Sequence, residues 1–499
     1  MRRVTRRDFV KGSIVAGVAF GVPSLGRTGT SLAPGAGPNS EVRLAIMGMG
    51  GIDTPGNVGG RGRQLIAMLQ KVPGAKIVAL CDVDQSLLRR EAEALQKQGT
   101  TVATYGDIRK VLDEKNVDAV VVATPNHWHA LATVWACQAG KDVFVEKPLA
   151  HSIWEGRQIV TAARKYGRIV QVDTEGRSST ALQQAFEFVR SGQIGPIRYA
   201  QVVLYRERKS IGKVTAPTPI PSTVDYNLWC GPAPVLPLMR KYLHYDWHWT
   251  WAYGSGEMGN NGVHYIDLCR WAMGENKPPR KAMSAGGRFG YAGGDDGQTP
   301  NTHVALLDFE SAPVICEIHG LPEKRKGGFR GVERGIVLQC EGGHFAGNFE
   351  GGKVFDKHGA QVKEFKGPNF SHIQLAHVAN FVETVRSRRS ADLRAAALQG
   401  HLSTACCHMA NISYRLGVQS APEAILERTR ANHELGESFE RCQEHLRLNG
   451  VDLSATRGVL GPWVTLDAQT ERFVGDFAGQ ANALATREYR EPFVFPTAG

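Results

Sequence analysis

No C-x-x-C pair occurs in this sequence, and its nine cysteines are odd in number and set mostly in apolar runs. They read as small buried hydrophobes, not as a disulfide framework or a thiolate metal site. No run of 18 apolar residues occurs, so no segment reads as a transmembrane helix. No internal repeat of fixed period is found, which excludes solenoids and propellers. Charge of one sign is also scarce: of the formal +11, residues 1–35 carry +5, and the +6 spread over the rest is a weak bias. With no basic stripe and no recognised module, no nucleic-acid partner is expected. What is present is ordinary: 499 residues, 42% hydrophobic and 21% charged, the make-up of a globular chain long enough for two or more domains.

At the N-terminus Arg6 and Arg7 stand in T-R-R-D-F-V-K, ahead of a mildly apolar stretch at 13–22 that is too short to cross a bilayer. The segment resembles a twin-arginine export signal, followed by the small-residue linker "GTSLAPGAGPNS". Residues 1–38 are therefore expected to be signal and linker, with the export machinery as partner and a periplasmic or otherwise exported protein as the result.

From Glu41 the pattern changes. "EVRLAIMGMGG", "AKIVALCDVD", "VDAVVVATPNHWHA" and "KDVFVEKPLA" are apolar strands, with helix-like stretches between them at 62–70, 86–98, 107–115, 129–139 and 153–166. Strand and helix alternating at this spacing predict a doubly wound parallel sheet over 41–172. The first strand runs into Gly48, Gly50 and Gly51, and the second ends in Asp82, where a carboxylate can accept both ribose hydroxyls of an adenosine. That predicts NAD; NADP is disfavoured because its 2′-phosphate would be repelled. Gly48 and Asp82 are thirty-four apart, against about twenty from fingerprint to acid in the usual unit. "IDTPGNVGGRG" is accordingly read as an enlarged phosphate loop, with Gly59, Gly60 and Gly62 easing entry into the helix and Arg61 free to meet a phosphate. In "NNGVHYIDLCRW" (260–271), a continuous helix would bring Asn260, His264 and Asp267 onto one face.

With this half in hand, "ATPNHWH" (123–129) and "EKP" (146–148) resemble the Gfo/Idh/MocA family, and the similarity runs from about 41 to about 420. The resemblance implies an α/β Rossmann-type dinucleotide-binding domain followed, over 173–425, by an α+β domain with an open antiparallel sheet. That sheet would carry substrate and often oligomer contacts, so a homo-oligomer is expected. The lysine of EKP would reach the reacting hydroxyl, giving Lys147 the central role. Thr124, Asn126, His129 and Glu146 would join Lys147 as cofactor contacts. In the family's second motif an acid precedes a histidine by four residues and another follows by three. His264 and Asp267 match; Asn260 stands where the first acid is expected. An amide can orient a hydroxyl but cannot take its proton. Acid–base work then falls to Lys147 and His264, with Asp267 fixing the imidazole or binding a sugar hydroxyl.

Rings with polar tips suit a pyranose, so Trp128, Tyr245, Trp247, His248 and Trp251, with Arg177, are the expected substrate contacts. His127 and His129 lack a third ligand at convincing spacing, and no metal is expected. These residues predict an exported NAD(P)-dependent oxidoreductase acting on a sugar, cyclitol or glycoside, with a tightly held cofactor regenerated in each cycle. The alternatives are an NAD-dependent glycoside-cleaving enzyme and a non-catalytic nucleotide- or sugar-binding sensor. Residues 426–499 form an extension that either wraps a partner subunit or closes the site.

Overall fold

The computed structural model describes residues 41–51 and 59–496. The twin-arginine reading of 1–38 and most of the enlarged loop, 52–58, lie outside them. β1 (Val42–Met47), β2 (Ala75–Cys81), β3 (Ala103–Tyr105), β4 (Ala119–Val122), β5 (Asp142–Val145) and β6 (Val170–Val172) form a parallel sheet in the order β3-β2-β1-β4-β5-β6. Side chains alternate between its faces. Ala119 and Val121 join Leu44, Ile46 and Phe144 in one core, whereas Val120 and Val122 join Ala45, Met47 and Val145 in the other. α1 (Arg61–Leu69) and α2 (Gln85–Lys97) cover the first; α3 (Ile108–Leu112), α4 (Asn126–Gln138) and α5 (Ile153–Lys165) cover the second. Burial on both sides is why β1, β2, β4 and β5 read as apolar runs, whereas β3 is a short exposed edge strand that the pattern does not reveal. The strand order reverses between β1 and β4, which opens a crevice at their carboxyl ends.

The second sheet is mixed. It comprises β7 (Ile197–Tyr205), β8 (Lys281–Gly287), β9 (Thr302–Asp308), β10 (Pro313–His319), β11 (Arg334–Cys340), β12 (Gly343–Asn348), β13 (Gly351–Asp356), β14 (Gln361–Lys366), β15 (Val418–Ser420), β16 (Gly458–Leu460), β17 (Val464–Asp467) and β18 (Arg472–Val474). Its main path is β14-β13-β12-β11-β7-β10-β9-β8-β16-β15, with β17 also on β8; β7 and β10 pair in parallel, the other described pairs antiparallel. The open antiparallel sheet expected of this half is thus present, with one parallel pair at its centre. α6 (Thr180–Arg190), α7 (Tyr226–Cys230), α8 (Val263–Met273), α9 (Phe370–Ser387), α10 (Ala397–Arg415), α11 (Pro422–Thr429), α12 (His433–Leu448) and α13 (Ala478–Leu484) complete the fold. α6, α8 and α10 fill the core on one face, while Leu435, Phe439 and Cys442 of α12 pack on Met283, Leu306 and Ile315 of the other.

The C-terminal stretch is part of this architecture. β16 and β17 extend the sheet beside β8, which covers an edge that would otherwise offer unpaired backbone groups. Further on, Arg487 donates to Glu155 (2.8 Å) and to the His127 carbonyl (2.6 Å), and Phe493 packs edge-on against Trp128. All nine cysteines are buried and unpaired, as their apolar surroundings predict.

Candidate active site

The cofactor crevice is built from close backbone approaches. Gly48 has φ +91°, and a Cβ there would lie 2.7 Å from the Ala123 carbonyl oxygen. A Cβ on Gly62, inside α1, would lie 1.8 Å from the Gly48 carbonyl oxygen. Gly62 therefore does the work of the fingerprint's third glycine, letting the helix pack on the strand, and Asp82 falls twenty residues beyond it. The apparent excess of spacing is an insertion ahead of α1. That helix begins after Gly60 with no side-chain cap, leaving first-turn N–H groups for an anion. Asp82 accepts N–H bonds from Met49 (2.6 Å) and Asp84 (2.9 Å), which tie the end of β2 to the glycine loop. Gly48, Gly50, Asp82 and Thr124 line the crevice, and the Thr124 hydroxyl is buried without a partner. Glycine clearances, an acid and a free hydroxyl fit a dinucleotide.

Arg61 departs from expectation. Its guanidinium is held through Nε and Nη2 by Glu146 (2.6 Å) and Asp173, two buried carboxylates, and Nη1 donates to Gln64 (3.3 Å). His129 is likewise committed: its ring nitrogens lie 2.8 Å from the carbonyl oxygens of Pro148 and Thr124, and burial lowers its pKa to about 4. Gly51 accepts from Arg63 (2.5 Å), and Asn126 from Ser255 (3.2 Å).

Beyond the crevice a cleft of about 1230 Å³ opens, lined by Lys147, Glu175, Asn260, His264, Tyr245 and His248 among others. Lys147 follows β5, at the carboxyl edge of the sheet. Its Nζ donates to the carbonyl oxygen (2.7 Å) and Oδ1 (3.1 Å) of Asn260. Burial lowers its pKa against the opposing pull of Glu146. Asn260 joins the helix of His264 through a change of winding. Met258–Gly262 form a π-helical turn that leads into α8; such turns widen a helix locally and recur at functional sites. His264 Nδ1 lies 3.4 Å from Glu175 Oε2, and both atoms lack a hydrogen-bond partner. Burial, followed by Lys147, pushes His264 well below its ordinary range. Burial, followed by Asp173, raises Glu175 to about 7. Neutral imidazole and a carboxyl poised near neutrality thus face the same cleft.

Tyr245, Trp247 and His248 line this cleft, presented by a 3-10 turn at Asp246–Trp249. Three other expected contacts do not reach it. Trp251 packs near Tyr414 and beneath Arg415. Trp128 borders the cofactor crevice, its indole N–H donating to the Leu228 carbonyl (3.0 Å). Arg177 forms a two-pronged ion pair with Asp267 (2.7 and 2.9 Å), and Ser403 donates to the same carboxylate (2.7 Å). Asp267 is therefore committed to Arg177 and to Ser403 of α10.

Glu257 escaped the sequence reading, and Glu175, Arg206 and Arg208 lie in the polar stretches 173–179 and 205–210 without having been singled out. Glu257 holds Arg208 through two bonds (2.9 and 2.7 Å) and accepts from Asn261 (2.8 Å), bracing the π turn. Glu175 had a usable signal: it stands three residues beyond β6, at the edge where this sheet type gathers its ligands.

Residues 42–174 match the NAD-binding Rossmann fold of the Gfo/Idh/MocA oxidoreductase family, and residues 207–284 match its C-terminal alpha/beta domain. The chain thus carries segments similar to both domains of that family. It is 27% identical over 221 residues to an alpha-N-acetylgalactosaminidase of Shewanella oneidensis, covering 42% of this chain and 47% of that one. It is 30% identical over 222 residues to glycosyl hydrolase family 109 protein 2 of a Shewanella species, covering 40% and 46%. The chain spans about half the length of these curated relatives. Its fold is shared with the WlbA dehydrogenase of Bordetella pertussis, solved with NADH and UDP-GlcNAcA (TM-score 0.55, 20% identity, 75% of this chain and 97% of that one). It is shared also with an aldose-aldose oxidoreductase of Caulobacter crescentus, solved with glycerol (TM-score 0.52, 16% identity, 73% and 94%).

Proposed function

We propose that this protein is an NAD-dependent oxidoreductase of sugars or sugar derivatives. The observation that carries the reading is the convergence of Lys147, Asn260, His264 and Glu175 on one cleft at the carboxyl edge of the Rossmann sheet. NAD bound in the crevice would supply the hydride acceptor for a ring carbon bearing a hydroxyl. Lys147 has three donor directions as an ammonium, and Asn260 occupies two, leaving one for the substrate oxygen. Its lowered pKa favours release of a proton and hence uptake of the hydroxyl proton when the ring carbon is oxidised. Asn260 holds this amine and takes no proton itself. Tyr245, Trp247 and His248 form an aromatic wall of the cleft, of the kind that suits a pyranose.

A second reading, redox-neutral glycoside cleavage, has its own support. Oxidation of one hydroxyl acidifies the neighbouring C–H, and elimination then needs a second base beside Lys147. The Glu175–His264 pair offers a base other than the lysine amine, with Glu175 raised to about 7. Two curated relatives carry glycoside-hydrolase names, and a solved neighbour was crystallised with a nucleotide sugar acid. Together these favour a sugar derivative as substrate. We also propose export through the twin-arginine signal, with the cofactor carried out inside the folded chain, because free NAD is scarce outside the cytoplasm.

The test is to purify the chain without added nucleotide, denature it and identify what is released, then assay chromogenic glycosides with nothing added. Stoichiometric NAD or NADH together with glycoside cleavage is the expected result under the second reading. NAD release with sugar-dependent change in nicotinamide absorbance and no cleavage selects the first. A chain that neither carries nor binds NAD overturns both.

A further inference from the structure

One wall of the Lys147 cleft carries positive charge that the chain does not match. Near the end of β7, Leu204 packs in the core beneath α8, and the register of β7 with β11 sets Arg334 directly opposite it. Arg206 stands two residues beyond Leu204, so Arg206 and Arg334 are diagonal neighbours on the same face. Both line the cleft, with Leu204 and Tyr265. Buried arginines are normally paired, and others around this cleft are: Glu257 holds Arg208, while Glu146 and Asp173 hold Arg61. Arg206 is half-buried and spends one N–H on Asn261 Oδ1 (3.2 Å). Arg334 has no side-chain hydrogen bond or ion pair among the described residues. Glu333 lines the same cleft but pairs with neither. Burial lowers the Arg206 pKa, and Arg208 and Arg334 add to that effect against the pull of Glu257.

We propose that Arg206 and Arg334 form an anion subsite, and that the substrate of this cleft is a sugar bearing an oxyanion: a carboxylate, a phosphate ester or a sulfate ester. The inference rests on the oxidoreductase reading for the reacting end of the substrate and adds its charged end. Asn261, which accepts the Arg206 bond, directly follows Asn260, which holds the Lys147 amine. Consecutive residues of the π turn therefore set the charged end and the reacting hydroxyl, a spacing that suits two groups on one sugar ring. A guanidinium presents paired N–H groups to paired oxygens, so two of them can enclose one oxyanion. A neutral sugar entering the cleft strips water from Arg206 and gives no charge in return. The pyrophosphate of NAD has its own donors at the uncapped start of α1, which leaves the two arginines to the substrate.

The test titrates the full chain, with NAD present, against glucose and galactose and their 6-carboxylate, 6-phosphate and 6-sulfate forms, reading heat of binding and nicotinamide absorbance together. At least one anionic form should bind about tenfold or more tighter than its neutral parent, with the margin shrinking as chloride is added. Which form does so identifies the oxyanion. Arg206→Gln and Arg334→Gln should each lower the ratio of anionic to neutral affinity about threefold or more, and together bring it to about one. Arg334 is exposed, so its variant decides should Arg206→Gln fail to fold. No anionic preference, or one that both variants keep, overturns the proposal. Variants that lose NAD affinity and keep the sugar preference overturn it too, and give the pair to the cofactor phosphates. Anionic preference without any change in nicotinamide absorbance upholds the subsite and removes the oxidoreductase reading. Absorbance changes of equal affinity for neutral and anionic sugars do the reverse.

Discussion

One helix serves two polar clusters of opposite character. On α8, His264 faces the cleft, where its Nδ1 and the nearby Glu175 Oε2 have no hydrogen-bond partner. Three residues on, Asp267 faces α10 and spends both carboxylate oxygens on Arg177, with Ser403 added. Both groups are buried, and both contain a carboxylate beside a nitrogen base. The difference is saturation. A buried ion pair whose donors and acceptors are matched holds elements together and has nothing left for a ligand. A buried pair with unused lone pairs carries an unmet requirement, and at the edge of a large cleft substrate is what meets it.

The sharpest test removes the amine of the cleft. Lys147→Met should lower sugar-dependent turnover by about 10²–10⁴-fold, the range for a lost general acid–base group, while NAD stays bound in the released-nucleotide assay. On the saturated side the effect should move from rate to stability. Asp267→Asn strips Arg177 of its carboxylate and should cost about 3–5 kcal/mol in denaturant unfolding, with turnover within a few-fold of the parent where the variant is folded. Loss of turnover in a stably folded Asp267→Asn protein would break the comparison and return that residue to the active site. Between these lies Gly62→Ala, which sets a methyl group against the Gly48 carbonyl. Displacement of α1 should cost about 1–3 kcal/mol, as overpacking does, and weaken NAD binding measured by fluorescence titration.

The sequence made the Rossmann half legible because its strands are buried on both faces and its helices follow at regular intervals. Each of the five helices expected there starts within three residues of its observed start. Lys147 was legible for a related reason: a polar residue directly after a buried strand must lie at the sheet edge. Asp267 and Arg177 were not, because a helical wheel assigns faces but not what stands opposite. The wheel also assumed an unbroken α-helix, whereas the π turn at Met258–Gly262 shifts Asn260 relative to His264. Trp251 and Trp128 misled in the same way. An aromatic residue in a polar, turn-rich segment suits a sugar or a core equally, and only the tertiary neighbours Tyr414 and Phe493 decide.

The subtlest expected effect concerns proton inventory. Burial and the adjacent Asp173 raise Glu175 to about 7 from an ordinary 4.5, whereas His264 is held well below 6.5. The imidazole is therefore neutral near 7, where Glu175 titrates, and an inflection there is not its own. If the carboxylate is the working base, the rate should rise about tenfold per pH unit below the inflection and level off above it. Stability should run the other way. Between about 4.5 and 7 the folded chain retains a proton that the unfolded chain releases, so this group's contribution to stability falls as pH rises. Glu175→Gln should abolish the inflection and flatten that decline together. A pH–rate profile and a set of unfolding curves across the same window measure both. A variant that keeps the inflection would place the second base elsewhere in the cleft, and the contrast between the two sides of α8 would then rest on Lys147 alone.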